Sequence, residues 1–365
     1  MYSTGTMLRQ SAALAADIER LTGPVAASAG AALVAVPGAS LREVVLVGSG
    51  DSHHAGLAAQ LAFERLAGIP CTALSTQQFL DYGMLGPARQ DPATLVVAVS
   101  ASGSSPRLVT AAQRARARGL PTLAVTGREG STLGSAATAE VVAALGLTER
   151  SPGIRTYQAS LLALLLLAVR LGGARHALPG SGPAPGEDGL VAEVTATADA
   201  VRDTVRAADA PCRELAERLT ETGRPWAPLV IAGTGPARGT ALYAAAKVVE
   251  AAGLSAYAQD TEEYWHIERF ADPADAPLVV LAPPGPGHAR AVELAATASG
   301  RGRRVVAVAG RDDTELTHTA WHTVPLAGTA REEWSPLVGH VFAGLLGARL
   351  AERLGRTPFS GGAPR

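Results

Sequence analysis

The chain has 365 residues, a formal net charge of −1, 47% hydrophobic residues and 4% aromatic residues. This length predicts two domains, and the near-zero charge argues against an overall field that attracts nucleic acid or an anionic membrane. The two cysteines, Cys71 and Cys212, are far apart and lack metal-ligand spacing, which is typical of a reducing compartment. We therefore expect a cytoplasmic protein, and the N-terminus shows no signal-peptide pattern.

The predicted elements follow one order twice. A helix over about 6–21 precedes the first half, and a helix over about 190–222 precedes the second. Each half then alternates short β-branched runs with Ala- and Leu-rich stretches, which predicts units of strand, glycine turn, helix and strand. The most apolar run, Leu161–Val169, is too short to span a bilayer, so we expect a buried helix and no membrane segment.

An internal repeat supports this order. Residues 44–79 align without a gap on residues 229–264, and the glycines of "GSG" then match those of "GTG". The alternation predicts a parallel sheet flanked by helices in each half, a flavodoxin-like three-layer sandwich. The Gly-, Pro- and Ser-rich segment 176–189 is typical of a linker. We predict a first domain over 1–175 and a second over 190–365.

A serine-rich loop follows a buried strand in the first half, within "VVAVSASGSSPRLV" at residues 96–109. The N–H groups and partial positive charge of a helix that begins near Pro106 suit a phosphate dianion. Hydroxyls add donors, and Gly103 allows the backbone to approach a ligand. The candidate donors are Ser100, Ser102, Ser104 and Ser105. The simple alternative is that these serines only cap and turn the chain.

The second half offers a contrast at the equivalent loop. Its sequence "APPGPGHAR", residues 282–290, places prolines where the first half has serines. Proline removes the backbone donor. We therefore expect only the first half to bind phosphate.

A lysine and a glutamate share one face of a predicted helix in the second half. Lys247 and Glu250 are spaced i,i+3, which permits an ion pair. Glu250 lies at the helix C-terminal end, where the dipole disfavours the ionised carboxylate and so favours a base that works near neutral pH. The alternative is an ordinary surface pair.

Three motifs together resemble a known family. "GSGDS" follows the first strand, "SASGSS" follows a later strand, and "KVVE" lies in the second half. This order resembles tandem sugar isomerase (SIS) domains, namely the isomerase portion of glucosamine-6-phosphate synthase and the free-standing aminosugar-phosphate deaminases and fructosamine-phosphate deglycases. The resemblance covers nearly the whole chain and implies a sugar-phosphate substrate.

The resemblance also implies roles for individual residues. The serine loop is expected to bind the phosphate of the sugar, with Ser52 as a further phosphate or sugar contact. Glu250 matches the family glutamate that moves a proton between C1 and C2 of the open-chain sugar. His266 matches the family histidine that assists ring opening and that in relatives can reach the site of a neighbouring subunit. The alternative for His266 is a structural role at the rim of a packed aromatic cluster.

A loop near the end of the first half completes the expected site. The segment "LTERSPGIRTYQASLL", residues 147–162, resembles the family loop that precedes a helix. Anchoring on Tyr157 places Arg155 at the usual lysine and leaves Glu149 one residue nearer than the family pattern. We expect Glu149 and Arg155 to bind substrate, although an arginine differs from a lysine in geometry.

Several departures limit the implied chemistry. The chain begins "MYSTG" without an amidotransferase domain, so we do not expect ammonia transfer from glutamine. Tyr243 stands where relatives often have a second glutamate, and the tail "ERLGRTPFSGGAPR" has no lysine. Neither metal-ligand spacing nor a full dinucleotide-binding motif is present, so we expect no metal and no cofactor.

The sequence therefore predicts a cofactor-independent phosphosugar isomerase or aminosugar-phosphate isomerase/deaminase. We expect a homodimer with a site at the ends of the strands, partly shared between subunits. A non-catalytic phosphosugar sensor is the main alternative, favoured by Tyr243 and by the tail without lysine. A purely structural assembly subunit is a third possibility.

Overall fold

The computed structural model describes residues 2–36, 40–83, 92–176, 186–221, 226–271, 273, 275–329 and 331–361. The described chain forms ten strands and thirteen α-helices. The strands are β1 (Glu43–Gly48), β2 (Cys71–Ser75), β3 (Thr94–Ser100), β4 (Thr122–Thr126), β5 (Ala139–Val142), β6 (Leu229–Ala232), β7 (Ala256–Gln259), β8 (Pro277–Leu281), β9 (Arg304–Gly310) and β10 (His322–Leu326). The helices are α1 (Thr4–Val34), α2 (Asp51–Leu66), α3 (Thr76–Gln78), α4 (Pro106–Ala117), α5 (Thr132–Ala136), α6 (Arg155–His176), α7 (Glu187–Leu219), α8 (Pro236–Ala252), α9 (Thr261–His266), α10 (His288–Gly300), α11 (Thr314–Thr317), α12 (Ser335–Gly339) and α13 (Val341–Arg353).

The strands form two parallel sheets with the same topology. Strand order is β2-β1-β3-β4-β5 in one sheet and β7-β6-β8-β9-β10 in the other. In each sheet the chain passes from its first strand to an edge strand on one side and then crosses to the other side. The switch point therefore lies between β1 and β3 in one sheet and between β6 and β8 in the other. Such a switch point opens a crevice at the carboxyl ends of the strands, where ligands of α/β proteins bind. The prediction of parallel sheets flanked by helices is confirmed.

Each sheet belongs to a compact unit. The N-terminal unit comprises Ala16–Leu147 and Arg155–Ala198, and the C-terminal unit comprises Met1–Ala15, Thr148–Ile154 and Asp199–Arg365. These units differ from the predicted domains in three short segments. Residues 1–15 and 148–154 belong to the C-terminal unit, and residues 190–198 belong to the N-terminal unit. Most of the predicted linker, residues 177–185, lies outside the described residues.

The central strands are buried because helices cover both faces of each sheet. All seven residues of β3 and all five of β8 are buried, as expected for continuous apolar runs in parallel sheets. Alanine-rich helices pack against them, for example α4 through Ala111, Ala112 and Ala115. Small side chains let these helices approach closely, and this holds the loops at the strand ends in place.

The most apolar helix, α6, is part of the core. Leu161 and the seven residues after it are fully buried, which confirms the predicted buried helix. Among the described residues, one stretch, Arg155–Arg175, is long and apolar enough to cross a membrane by composition. However, 83% of its most apolar window is buried inside the fold, as in the core helix of a soluble protein.

The first helix is longer than predicted. The sequence suggested an end near residue 21, but α1 continues through Pro24 to Val34. Val25, Ala26 and Ala29 are at most 1% exposed. Burial of these side chains outweighs the backbone hydrogen bond that a proline removes from a helix.

Candidate functional site

The first βα turn of the N-terminal unit lies at the switch point of its sheet. β1 ends at Gly48, where a Cβ would lie 2.8 Å from the backbone carbonyl carbon of Ser52. Gly50, with φ of 53°, is the N-cap of α2. Both positions require glycine because the turn is tight and reaches the left-handed region. As a result, half-buried Ser52 lies in the first turn of α2.

The serine loop lies on the other side of the same switch point. β3 ends at Ser100, whose hydroxyl accepts a hydrogen bond from the Gly103 N–H at 3.2 Å. The Ser104 hydroxyl donates to Ser102 Oγ at 3.1 Å, and both side chains are exposed. Ser105 is the N-cap of α4, yet its hydroxyl makes no capping hydrogen bond. The alternative of serines that only cap the helix therefore does not describe Ser105.

Gly103 fixes the shape of this loop. Its φ is 64°, and a Cβ there would lie 2.4 Å from the Cβ of Ser131. Its carbonyl accepts a hydrogen bond from the Leu133 N–H at 2.9 Å. Ser131 is itself the N-cap of α5 and accepts from the Gly134 N–H. The loop is thus preorganised against the start of α5.

The N-terminus of α4 supplies a favourable field for an anion. The first turn of α4 carries no acidic residue, and its second residue is Arg107. The Arg107 guanidinium donates to Gln77 Oε1 at 2.5 Å. Unpaired N–H groups at a helix start and nearby hydroxyls together suit a phosphate.

The pair Lys247 and Glu250 lies on α8 of the C-terminal unit. Lys247 Nζ is 2.5 Å from Glu250 Oε2, and the lysine side chain is 0% exposed while that of Glu250 is 29% exposed. An ordinary surface pair is excluded by this burial. Lys247 is also the only lysine in the chain, a signal in the sequence that points to a special role.

The C-terminal end of α8 is capped by two segments. Gly253 adopts φ of 61° and donates its N–H to the Val249 carbonyl at 2.9 Å. The tail folds back here, and the Phe359 N–H donates to the Glu250 carbonyl at 2.7 Å. Phe359 has φ of 62° and is, among the described residues, the one non-glycine residue with positive φ. Sequence reasoning missed this contact because tail composition carries no signal for it.

His266 lies at the end of α9 on the surface of the C-terminal unit. Its side chain is 61% exposed, and its Nε2 lies 3.0 Å from Glu262 Oε1. The hydrogen bond from Arg290, and then that from His266, lower the pKa of Glu262. Glu262 therefore orients the ring, and more than half of the imidazole surface is exposed to solvent.

The two loop residues expected to bind substrate have protein partners. Glu149 is exposed and accepts from the Arg9 guanidinium at 2.7 and 3.1 Å, which lowers the pKa of its carboxyl group. Arg155 donates two hydrogen bonds of 2.6 Å to Asp17, and these raise the pKa of the guanidinium. Glu149 clusters with the C-terminal unit and Arg155 with the N-terminal unit. Sequence spacing gave no indication of Arg9 or Asp17 as partners.

The equivalent turn of the second sheet differs from the serine loop. A cavity of only about 50 Å³ lies there, and Leu281, Pro283 and Pro284 contribute to its apolar lining. A larger cavity of about 1030 Å³ opens further along the sheet edge, beside His288 and Asp313. It lies at the ends of β9 and β10 rather than at the switch point, and we do not assign the chemistry to it.

Other polar candidates in the described ranges do not assemble a metal site. A search of these residues finds no group of three or more His, Cys, Asp or Glu side chains suited to a metal. Cys71 and Cys212 are buried and free, and burial raises the pKa of both thiols. Burial lowers the pKa of His53, beside Ser52, so this imidazole is held neutral.

Comparison with known proteins identifies the N-terminal half. Residues 39–170 match the model of the SIS domain family. Over these residues the chain is similar to a SIS domain. The match contains both the GSGDS turn and the serine loop, and it confirms the resemblance inferred from sequence.

Curated relatives extend the similarity of the chain beyond residues 39–170. The chain is 27% identical over 317 residues to the glutamine–fructose-6-phosphate aminotransferase (isomerizing) of Gloeobacter violaceus, covering 87% of this chain and 50% of that protein. It is 28% identical over 304 residues to the enzyme of the same name from Streptomyces coelicolor, covering 81% and 47%. The chain thus spans about half the length of these relatives.

Solved structures of phosphosugar enzymes share the fold of nearly the whole chain. The C-terminal domain of glucosamine-fructose-6-phosphate aminotransferase from Francisella tularensis aligns with a TM-score of 0.80 at 16% identity, covering 95% of each chain. Glucosamine-6-phosphate deaminase from Thermotoga maritima aligns with a TM-score of 0.72 at 18% identity, covering 97% of this chain and 96% of that one. At these identities the similarity establishes the fold alone.

Proposed function

We propose that this protein is a phosphosugar isomerase or aminosugar-phosphate isomerase/deaminase that moves a proton between C1 and C2 of a hexose phosphate. The observation that carries the proposal is the serine loop at the switch point of a SIS domain, preorganised by Gly103 with the Ser105 hydroxyl not used as a cap. The similarity to isomerizing aminotransferases and to an aminosugar-phosphate deaminase supports the substrate class.

The substrate phosphate binds at the start of α4. The N–H groups of the first turn and the hydroxyls of Ser102, Ser104 and Ser105 donate to its oxygens, with Ser52 approaching from the neighbouring turn. Uncharged donors and a helix N-terminus hold a dianion without a metal counter-ion. Phosphate binding then fixes the position of the sugar's carbon skeleton.

Glu250 is the proposed base. Its carboxylate removes the proton from the carbon next to the carbonyl or imine carbon, and the carbonyl oxygen or imine nitrogen takes up a proton from solvent to give an enediol or enolamine. The same carboxyl group returns its proton to the neighbouring carbon while the hydroxyl or amine group on the other carbon releases a proton to solvent, so no redox step and no cofactor are required. The Lys247 ammonium, buried and 2.5 Å away, fixes the orientation of the carboxylate and compensates its charge.

His266 is proposed to assist ring opening by proton exchange with the ring oxygen. Its 61% exposure and its hydrogen bond to Glu262 suit a group presented to the site of a second subunit. We therefore propose a homodimer with a shared site. We also propose a cytoplasmic location, in keeping with a phosphorylated substrate and two free cysteines.

Solvent deuterium exchange tests the activity. Fructose 6-phosphate or glucosamine 6-phosphate is incubated in D₂O with the protein, and deuterium at C1 and C2 is followed by NMR. We expect exchange with the wild type and, because the base is removed, a loss of at least about a hundredfold in Glu250→Gln. Binding, followed as a thermal shift, is expected to persist in the variant, since saturation at a hundred times Kd stabilises by about 2.7 kcal/mol. Exchange that survives in Glu250→Gln contradicts the proposal.

A phosphosugar sensor without catalysis is the second candidate. It is favoured by Tyr243, which stands where the resemblance implies a second glutamate and has no carboxylate to offer. A thermal shift with sugar phosphates together with no deuterium exchange in the wild type identifies a sensor. A purely structural subunit is expected to show no thermal shift with sugar phosphates and no deuterium exchange.

A further inference from the structure

We propose that Tyr243 is a positioning residue that joins the loop Thr148–Ile154 to the Lys247–Glu250 pair. This inference rests on the proposed function, because it assigns Tyr243 a role in the proton transfer by Glu250. The hydroxyl and the ring of Tyr243 have different roles. The hydroxyl fixes the loop, and the ring supports the charge of the lysine that orients the base.

The three side chains lie in one row on α8. Tyr243, Lys247 and Glu250 are spaced i, i+4 and i+7, which places them on the same helix face. Tyr243 and Lys247 are both 0% exposed, whereas Glu250 reaches the surface. The row therefore runs from the interior of the C-terminal unit to the base.

The ring of Tyr243 faces the buried ammonium group. Lys247 Nζ lies 5.0 Å from the ring centroid, within the range of a cation–π interaction. A buried charge requires compensation, and that of Lys247 comes from the Glu250 carboxylate on one side and from the π-face on the other. The ring is itself fixed edge-on by His340, with centroids 5.6 Å apart.

The hydroxyl of Tyr243 anchors the loop. It donates a hydrogen bond of 2.9 Å to the Gly153 carbonyl. The other end of the loop is held by Glu149, whose carboxylate pairs with Arg9 and whose carbonyl accepts from Gln10 Nε2 at 2.8 Å. The loop is therefore clamped at both ends within the C-terminal unit and is not a free lid.

The hydrogen bond to the loop and the ring contact with Lys247 are expected to affect different kinetic constants. A shift of the loop changes how substrate is held and appears in KM. A change in the support of Lys247 alters the orientation of the Glu250 carboxylate and appears in kcat. A carboxylate at position 243 would supply no π-face, so these two separate effects depend on the tyrosine.

The test compares Tyr243→Phe, which removes only the hydroxyl, with Tyr243→Met, which also removes the ring. In Tyr243→Phe we expect KM for deuterium exchange to rise about fivefold, the effect of one hydrogen bond, with kcat within a factor of about two. In Tyr243→Met we expect kcat to fall by a further factor of about ten or more, because the ring is lost. Tyr257→Phe, on edge strand β7, loses the same atom and is expected to match the wild type.

Two measurements do not depend on activity. Amide hydrogen exchange of residues 148–154 is expected to accelerate in Tyr243→Phe and to stay unchanged in Tyr257→Phe. Since Lys247 is the only lysine, selective ¹³C labelling gives one ε-methylene signal. Its ring-current shift is expected to persist in Tyr243→Phe and to vanish in Tyr243→Met.

The outcomes separate this inference from the proposed function. If the wild type exchanges no deuterium, the proposed function fails, and the amide and lysine measurements still decide whether Tyr243 holds the loop and the lysine. Unchanged loop protection in Tyr243→Phe overturns the anchoring role. Equal kcat in the Phe and Met variants overturns the role of the ring.

Discussion

Gly103 is the residue on which the shape of the serine loop most depends. Its φ is 64°, and a methyl group at this position would place its carbon 2.4 Å from the Ser131 Cβ, which leaves no room for any other side chain. The residue types of the loop were evident from the sequence. That Ser131, 28 positions later, forms the wall behind it was not, because no local pattern encodes the contact between two loops.

Gly103→Ala is expected to abolish the thermal shift given by sugar phosphates, because the loop must move away from Ser131. The matched control is Gly119→Ala. Gly119 has φ of 77°, but a Cβ there meets nothing within 4 Å. The control is expected to lose about 1 kcal/mol of stability from backbone strain and to keep the ligand-induced shift. Equal ligand shifts in the two variants would show that the loop does not bind phosphate.

At the scale of elements, α8 depends on the tail for its C-terminal cap. The Phe359 N–H donates to the Glu250 carbonyl, the Arg356 guanidinium donates to the Ala252 carbonyl, and the Phe359 ring packs edge-on against Tyr2 at 4.9 Å. Carbonyls in the last turn of a helix lack intrahelical partners, so these contacts hold the turn that carries Glu250.

A chain that ends at residue 356 tests this cap. Loss of the Phe359 hydrogen bond and ring contact is expected to lower the free energy of unfolding by about 1–2 kcal/mol. Deuterium exchange is expected to slow because Glu250 is less well held. A chain that ends at residue 361 keeps every described tail contact and serves as the control. Equal urea midpoints and equal exchange rates for the two chains would contradict a capping role.

The elements themselves were largely predictable, and their partners were not. Alternating β-branched and alanine-rich runs are enough to predict parallel sheets, and the 44–79 and 229–264 repeat gives both sheets one topology. The end of α1 was missed because buried alanines beyond Pro24 override a local helix breaker. The Glu149–Arg9 pair joins residues 140 positions apart, and such a contact follows from tertiary packing alone.

At the scale of the whole molecule, buried His340 couples stability to pH. Burial lowers the pKa of His340 from 6.5 to about 3. In the unfolded chain the imidazole takes up a proton below about pH 6.5, whereas the folded protein keeps it neutral until about pH 3. The stabilisation is therefore complete above pH 6.5 and is lost as pH falls towards 3, at up to about 1.4 kcal/mol per pH unit.

His340→Gln removes this titration. We expect the wild-type urea midpoint to fall between pH 7.5 and pH 5 more steeply than that of the variant, since position 340 no longer binds a proton. Burial also lowers the pKa of His322, with the same sign, and this contribution is common to both proteins. Parallel pH dependences would contradict a neutral buried imidazole.

The central proposal is that the serine loop of the N-terminal unit binds the phosphate group of a sugar phosphate. The most direct measurement is a crystal structure of the protein with a hexitol 6-phosphate, an open-chain mimic that cannot react. We expect the phosphate oxygens to lie within about 3.2 Å of the Ser102 and Ser105 hydroxyls. A phosphate bound elsewhere on the protein would contradict the proposal.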